Sequence, residues 1–203
     1  MRIQADCGSH ALRNDRGAQL VEFAVTLPLL VVFVVGIFDF SNAYTLKQRL
    51  TNIARDAARA SAYDPGSDVP SALVTSVPIS VQDAFQIVDN YLLANQLNDC
   101  NISTSGASLS GLTWTYTANG NGCPTAGLQI VINRGYFFPS VVSGTTPANC
   151  SPQGPNGQVA IISTCVSIAY PYSWRFGQVA SLIGGNNLLP TQLNAVAVAM
   201  NEN

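Results

Sequence analysis

Four cysteines, Cys100, Cys123, Cys150 and Cys165, are the residues of this 203-residue chain best suited to covalent chemistry. All four follow a long apolar segment, and a fifth, Cys7, precedes it. An even set on one side and a lone thiol on the other suits disulfide formation in an oxidising compartment. Four cysteines allow three pairings. Cys100–Cys123 and Cys150–Cys165 are favoured because each closes a short loop, and either bridge adds roughly 3 kcal/mol by restricting the unfolded chain. Free buried thiols and a metal site are the competing readings, and no CxxC pair or histidine accompanies the four to support a metal. The remaining chemically capable residues do not converge. The single histidine, His10, precedes the apolar segment, so no Ser–His–Asp or Cys–His site can form beyond it. Asp64 and Asp68, in DPGSD, supply too few ligands for calcium and read as a turn. Asp83, Asp89 and Asp99 read as a solvated helix face. Two carboxylates would suffice for a glycosidase, but nothing marks a pair. No catalytic residue, metal site or cofactor is expected, and the chain is not read as an enzyme.

One carboxylate stands apart. The run from Phe23 to Phe38 carries no charge. Its length falls short of the roughly 20 residues a bilayer requires. Extending it back to Ala18 gives about 21 residues, or ~32 Å of helix, but places Glu22 inside the apolar stretch. A carboxylate there costs about 3 kcal/mol and marks a functional position by default, unless it snorkels to the headgroups. An ordinary secretory signal peptide would show a small-x-small cleavage site after a shorter core. Here DFSNAYTLKQRL follows instead. Beyond the span, Ala43, Leu46, Leu50, Ile53, Ala57 and Ala60 recur at alternating spacings of three and four, one face of a helix. No Gly or Pro interrupts from Ser41 to Tyr63, and Asp64-Pro65-Gly66 ends the pattern. The expected helix runs from about Ala18 to Ala62, with Pro28 and Gly36 as bend points.

Gly17, with Glu22 five residues on, Phe23 next, an uncharged run after it and Arg13 and Arg16 before it, resembles a type IV prepilin peptidase site. The resemblance implies cutting between Gly17 and Ala18, and a neighbouring subunit's new N-terminal amine neutralising Glu22. The longer stretch from Arg16 to Ala62 is similar to the N-terminal signature of TadE-like minor pilins, the pseudopilins of the tight-adherence (Tad/Flp, type IVc) pilus system. The similarity lies in Gly17-Ala18, Val21-Glu22-Phe23-Ala24, Leu27-Pro28, Gly36-Ile37 with Asp39-Phe40, and Leu50-Thr51-Asn52 leading into Ala54-Arg55-Asp56-Ala57-Ala58-Arg59. Family members often carry Glu and Gly near Asp56 and Ala57, a departure that leaves the anchor undisturbed. The end of the chain, from Cys165 through Tyr170-Pro171-Tyr172 to Met200-Asn201-Glu202, matches the family more loosely.

This reading implies a cytoplasmic leader at 1–17, a transmembrane and extended pilin-type helix at 18–62, and an exported α+β domain at 63–203. Charge flanking the span does not set its direction, because Arg2, Arg13 and Arg16 precede it while Lys47, Arg49, Arg55 and Arg59 follow. Export of the C-terminal domain rests on the cysteines and on the resemblance. In pilin-like architecture the lower helix packs between subunits and the upper half on its own head. Glu22 and Phe23 would set subunit register, with the Ala43–Ala60 seam supplying packing. Implied partners are the inner membrane, a prepilin peptidase, other pilins and pseudopilins, and the Tad assembly platform. Any surface or host ligand is unknown.

In the exported part, Ser80 to Asp83 reads as a capping box opening a second amphipathic helix to about Asn98. Four β-rich runs follow, Leu112–Ala118, Leu128–Asn133, Val159–Tyr170 and Gln192–Met200, separated by the turn-forming clusters 119–122 and 153–157. Trp114 and Tyr116 alternate with threonines as in a half-exposed strand. Helices first and strands afterwards predict an α+β head with an antiparallel sheet. The 100–158 region reads as an insertion with no assigned role. Charged residues are only 10% of the chain, and after Asn101 they are Arg134, Arg175 and Glu202 alone. With a net charge of −2 and no basic block, nucleic acid is not an expected partner. The competing class is a membrane-tethered binding module or adhesin that does not polymerise, with Trp114/Tyr116 or Tyr170/Tyr172/Trp174 as its contact surface.

Overall fold

The computed structural model describes residues 15–67, 76–139, 150, 160–177 and 189–202. Helix α1 runs 49 residues, from Asp15 to Tyr63, with Pro28 inside it. Its upper half is alanine-rich and free of Gly and Pro, and its polar side chains are accommodated locally. Thr45 and Thr51 donate their hydroxyls to the carbonyls of Ser41 and Lys47, each at 2.9 Å, the back-bonding that lets threonine sit within a helix.

Helix α2 spans Ile79–Ala94, and both of its ends differ from expectation. Its N-cap is Pro78 rather than Ser80, with no side-chain cap. The Pro78 carbonyl instead accepts from the amides of Val81 and Gln82 at 3.1 and 3.0 Å, and Ser80 is fully buried in the first turn. At the other end Gln96 takes a left-handed φ of 55° and the Leu97 amide returns to the Leu92 carbonyl at 2.9 Å. That closure stops a helix as a Schellman turn does, four residues before Asn98.

The sheet is a five-stranded antiparallel meander in the order β1-β2-β3-β4-β5. Its strands are β1 (Ser108–Ser110), β2 (Thr113–Ala118), β3 (Leu128–Pro139), β4 (Ala160–Pro171) and β5 (Gln192–Met200). The expected runs are all strands. Strand β3 continues six residues past Asn133 because a register shift between Asn133 and Tyr136 lets the pairing with β4 resume. Gly135 lies in that shift, where a Cβ would come within 2.5 Å of Leu112 Cδ1. The short β1 was not anticipated; three exposed residues offer no period to read.

Both helices lie on one face of the sheet. Helix α1 crosses β4 and β5 and packs along α2, and α2 reaches β3, with Phe85 stacked on Tyr116 of β2 at 4.2 Å. Leu50, Ala54, Ala57, Val81, Val88, Leu92, Trp114, Ile130, Ile132, Val166 and Ile168 fill this core. The alternate side chains form a smaller cluster on the far face, Tyr136, Cys150, Cys165 and Val196, with Val131 and Val198 against it. Both favoured disulfides are formed, Cys100–Cys123 and Cys150–Cys165, at Cα separations of 5.4 and 5.5 Å. The first holds the β2–β3 loop to the end of α2, helped by Asn98 Nδ2 donating to the Asn121 carbonyl at 2.9 Å. The region read as an insertion thus supplies three of the five strands. The expected turn at 153–157 lies outside the described residues, as do Cys7, His10 and Asp68.

Candidate functional site

The residues singled out on α1 divide at Asp39. Below it the helix stands away from the head except at Gly36, which is buried: Leu20, Phe23, Leu30, Phe33, Ile37 and Phe38 are all exposed, Phe38 by 67%. Among the described residues, one helix is long and apolar enough to cross a bilayer, and it is this one. Uncovered apolar surface on that scale is unfavourable in water at about 25 cal/mol per Å², so a lipid or protein layer is its stable surrounding. Glu22 is exposed on this half beside Phe23. The Gly17-Ala18 peptide lies within the helix two residues from its start.

Above Asp39 the helix is turned into the head. Ala43, Leu50, Ile53 and Ala57 of the expected seam are buried, Leu46 packs partly against the core and Ala60 is half-buried. Ala54, Ala58, Ser61 and Ala62 are buried as well, so the seam is wider than its spacing announced. Two surfaces cover it, the β4–β5 sheet and α2, and a second covered face needs its own row of small residues. The seam is therefore occupied within the chain itself.

Two polar clusters set the helix in place, and neither was legible as a site in the sequence. At the waist, Asp39 is only 4% exposed. Its Oδ1 accepts from the Tyr172 hydroxyl at 3.1 Å and its Oδ2 from the Phe176 amide at 2.9 Å. The Tyr172 hydroxyl also reaches the Asp39 carbonyl at 3.3 Å. Burial, and then the Asp39 carboxylate beside it, push the Tyr172 hydroxyl up to about 12, with Arg175 opposing in part. Around the clasp, Trp174 packs on Phe40 at 5.1 Å and edge-on to Tyr172 at 4.9 Å, and donates its indole N–H to the Pro190 carbonyl at 2.6 Å. Gly36 faces the Phe176 ring, which a Cβ would meet at 3.5 Å. Gly36, Asp39 and Phe40 thus hold the 172–177 segment against the helix.

At the top, α1 has no basic residue in its last turn. Arg134, 3% exposed on β3, supplies the charge instead. Its Nη1 donates to the Ser61 carbonyl and, at 2.9 Å, to Thr164 Oγ1, while Nη2 donates to the Asp64 carbonyl at 3.0 Å. The Thr164 hydroxyl donates in turn to Asn201 Oδ1 at 2.7 Å, and Asn201 Nδ2 donates to the Arg134 carbonyl at 3.3 Å. A guanidinium on the orphan carbonyls of a helix C-terminus meets the negative end of the helix dipole. The one available signal was that Arg134 is among so few charges after Asn101.

The aromatic surfaces considered for a ligand are mostly interior. Trp114, Tyr116 and Tyr170 are 1%, 6% and 7% exposed, and Tyr172 and Trp174 are engaged at the waist. Among the described residues no group of His, Cys, Asp and Glu is placed to hold a metal ion.

An exposed apolar half-helix that continues without a break into the core of an α+β, antiparallel-sheet head is a pilin-like fold, and among the described residues it is consistent with a single-pass membrane anchor. The N-terminal region, residues 17–59, matches the family model described as TadE-like protein. The match spans about a fifth of the chain, from the Gly17-Ala18 pair almost to the end of α1. Comparison with curated proteins finds no match, and neither does comparison with solved structures.

Proposed function

We propose that this chain is a structural minor pilin, or pseudopilin, taking part in assembly of a Tad-type adhesive pilus. In this reading residues 1–17 are a cytoplasmic leader, cut by a prepilin peptidase between Gly17 and Ala18. Residues 18–62 anchor the protein in the inner membrane, and residues 63–203 form the exported head. The observation that carries it is the coincidence of the family match with one continuous helix, apolar and exposed below Asp39 and buried in the head above it. Glu22 is the only charged residue between Gly17 and Asp39. A lone carboxylate in an apolar layer is unstable without a partner, and the amine released at Ala18 of a neighbouring subunit supplies one. Because the Ala43–Ala60 seam is used inside the chain, contact with other pilins and with the assembly platform falls to the lower helix and to the outer surface of the head. The two disulfides suit an oxidising location for that head.

The test is N-terminal sequencing of the membrane-derived protein, paired with Glu22→Ala. Chains beginning at Ala18, and loss of at least about tenfold of the Glu22→Ala protein from sheared surface filaments at unchanged membrane levels, are expected from removing an intramembrane ion pair. An uncut Met1 in cells with active peptidase, or undiminished recovery in filaments, overturns the assignment. The latter result leaves a tethered binding module that does not polymerise.

A further inference from the structure

The waist of the molecule carries an aromatic cluster that the assembly reading does not use. Phe38 ends the uncharged run, and Phe40 lies two residues, or ~3 Å, further along the helix axis. The Trp174 ring sits at that level, 5.1 Å from the Phe40 ring. Phe40 is 51% exposed, Trp174 is half-buried, and Arg175, next in sequence, is exposed. The headgroup region adds only about 5–7 Å to each side of a ~30 Å hydrocarbon core, so a ring ~3 Å beyond the apolar run falls within it. The surface is continuous with the apolar helix below, through exposed Ile37 and Phe38. Trp174 is held from the head side by its N–H bond to the Pro190 carbonyl and from the helix side by Phe40. The clasp on Asp39 fixes the flanking Tyr172 and Phe176.

We propose that this collar of Phe40, Trp174 and Arg175 seats in the lipid headgroup layer and holds the head directly on the bilayer. The proposal rests on the reading of α1 as a membrane anchor. Trp favours the interface because its ring is apolar while its N–H is polar, and here the N–H is already satisfied within the protein. Arg175, exposed and next in sequence to Trp174, pairs with lipid phosphates in this arrangement. The head therefore does not swing on a free tether. Leaving the membrane strips the collar from lipid as well as withdrawing the helix.

The chain contains two tryptophans, and Trp114 is buried in the head, so Trp114→Phe leaves Trp174 as the reporter. The full chain is reconstituted into phosphatidylcholine vesicles whose acyl chains are brominated either near the headgroup or near the chain end. Quenching of Trp174 at least about twofold stronger by the shallow bromines, with iodide access reduced by a similar factor on reconstitution, is expected for an interfacial ring. Unquenched emission that iodide reaches freely overturns the proposal. So does emission shielded from both quenchers, which means another protein copy covers the collar. Should Trp114→Phe fail to fold, the parent minus Trp174→Phe gives the same difference. Flotation with the vesicles separates the two readings. A chain that does not float overturns the anchor itself, whereas one that floats with Trp174 unquenched overturns the collar alone.

Discussion

Replacing Arg134 with Met tests how the upper end of α1 is held. The guanidinium donates to the Ser61 and Asp64 carbonyls and to Thr164 Oγ1 from a site that is 3% exposed. Met fills much of the side-chain volume but leaves the buried Ser61 carbonyl and the half-buried Asp64 carbonyl without those donors, at about 1–3 kcal/mol for each, the Asp64 group nearer the low end. The favourable meeting of a cation with the helix terminus, about 0.3–1 kcal/mol and up to ~2 when partly buried, goes with them. Relief from desolvating a charge returns part of this, so the net loss is about 3–4 kcal/mol, or roughly 6–16 °C in Tm for a chain of this size. Arg134→Lys keeps the charge but reaches fewer of the acceptors and should lose about half as much. The assay is thermal unfolding of the full chain in detergent, followed by near-UV circular dichroism, with hydrogen exchange read on peptides covering 57–66. The Met variant should lose protection there before the lower helix does. If it melts within about 2 °C of the parent, a shift below ~1 kcal/mol, Arg134 does not cap α1 and the reasoning fails.

Asp39→Ala should free the 172–177 segment, lowering stability by about 1–3 kcal/mol through lost charge-assisted bonds, and chymotrypsin should cut at Tyr172, Trp174 or Phe176 faster than in the parent; equal cutting rates count against the clasp. The Tyr172 hydroxyl is held at about 12 in the fold against an ordinary value of 10, so its share of stability is complete below pH 10 and is lost as pH rises from 10 to about 12. Burial raises Tyr116, Tyr136 and Tyr170 as well, so the alkaline denaturation curve of Tyr172→Phe should be shallower than the parent's but not flat. Removing Cys100–Cys123 or Cys150–Cys165 by paired Ser substitution should each cost roughly 3 kcal/mol on the chain-entropy account. The separations they close, 23 and 15 residues, differ too little for the two losses to differ by more than about 0.5 kcal/mol; urea midpoints of the two variants measure this.

What could be read along the chain was what repeats locally or is restricted by composition. An uncharged run has one stable environment, an alanine-rich period of three and four makes one helix face, and alternating side chains make a strand. That is why α1 was located to within about three residues at either end and four of the five strands were recognised. The favoured cysteine pairs were legible for a related reason, since short loops close at least cost. The ends of α2 were less legible. A Ser-x-x-Asp pattern announces a cap only if the chain turns there, and the turn came at Pro78, whose extended backbone precedes the first helical residue and whose carbonyl accepts the first helical bonds.

Composition and periodicity alone marked the apolar half of α1 with its lone Glu22, the small-residue seam, and the order of two helices and four strands. Tertiary structure alone decided that Asp39 meets Tyr172 and the Phe176 amide 137 residues away, and that Arg134 ends a helix 73 residues before it. Both are pairings of a single polar group with backbone or hydroxyl atoms. Such contacts leave no period and need no particular partner residue, because almost any position offers an amide or a carbonyl. Only the path of the chain in space selects which one it is.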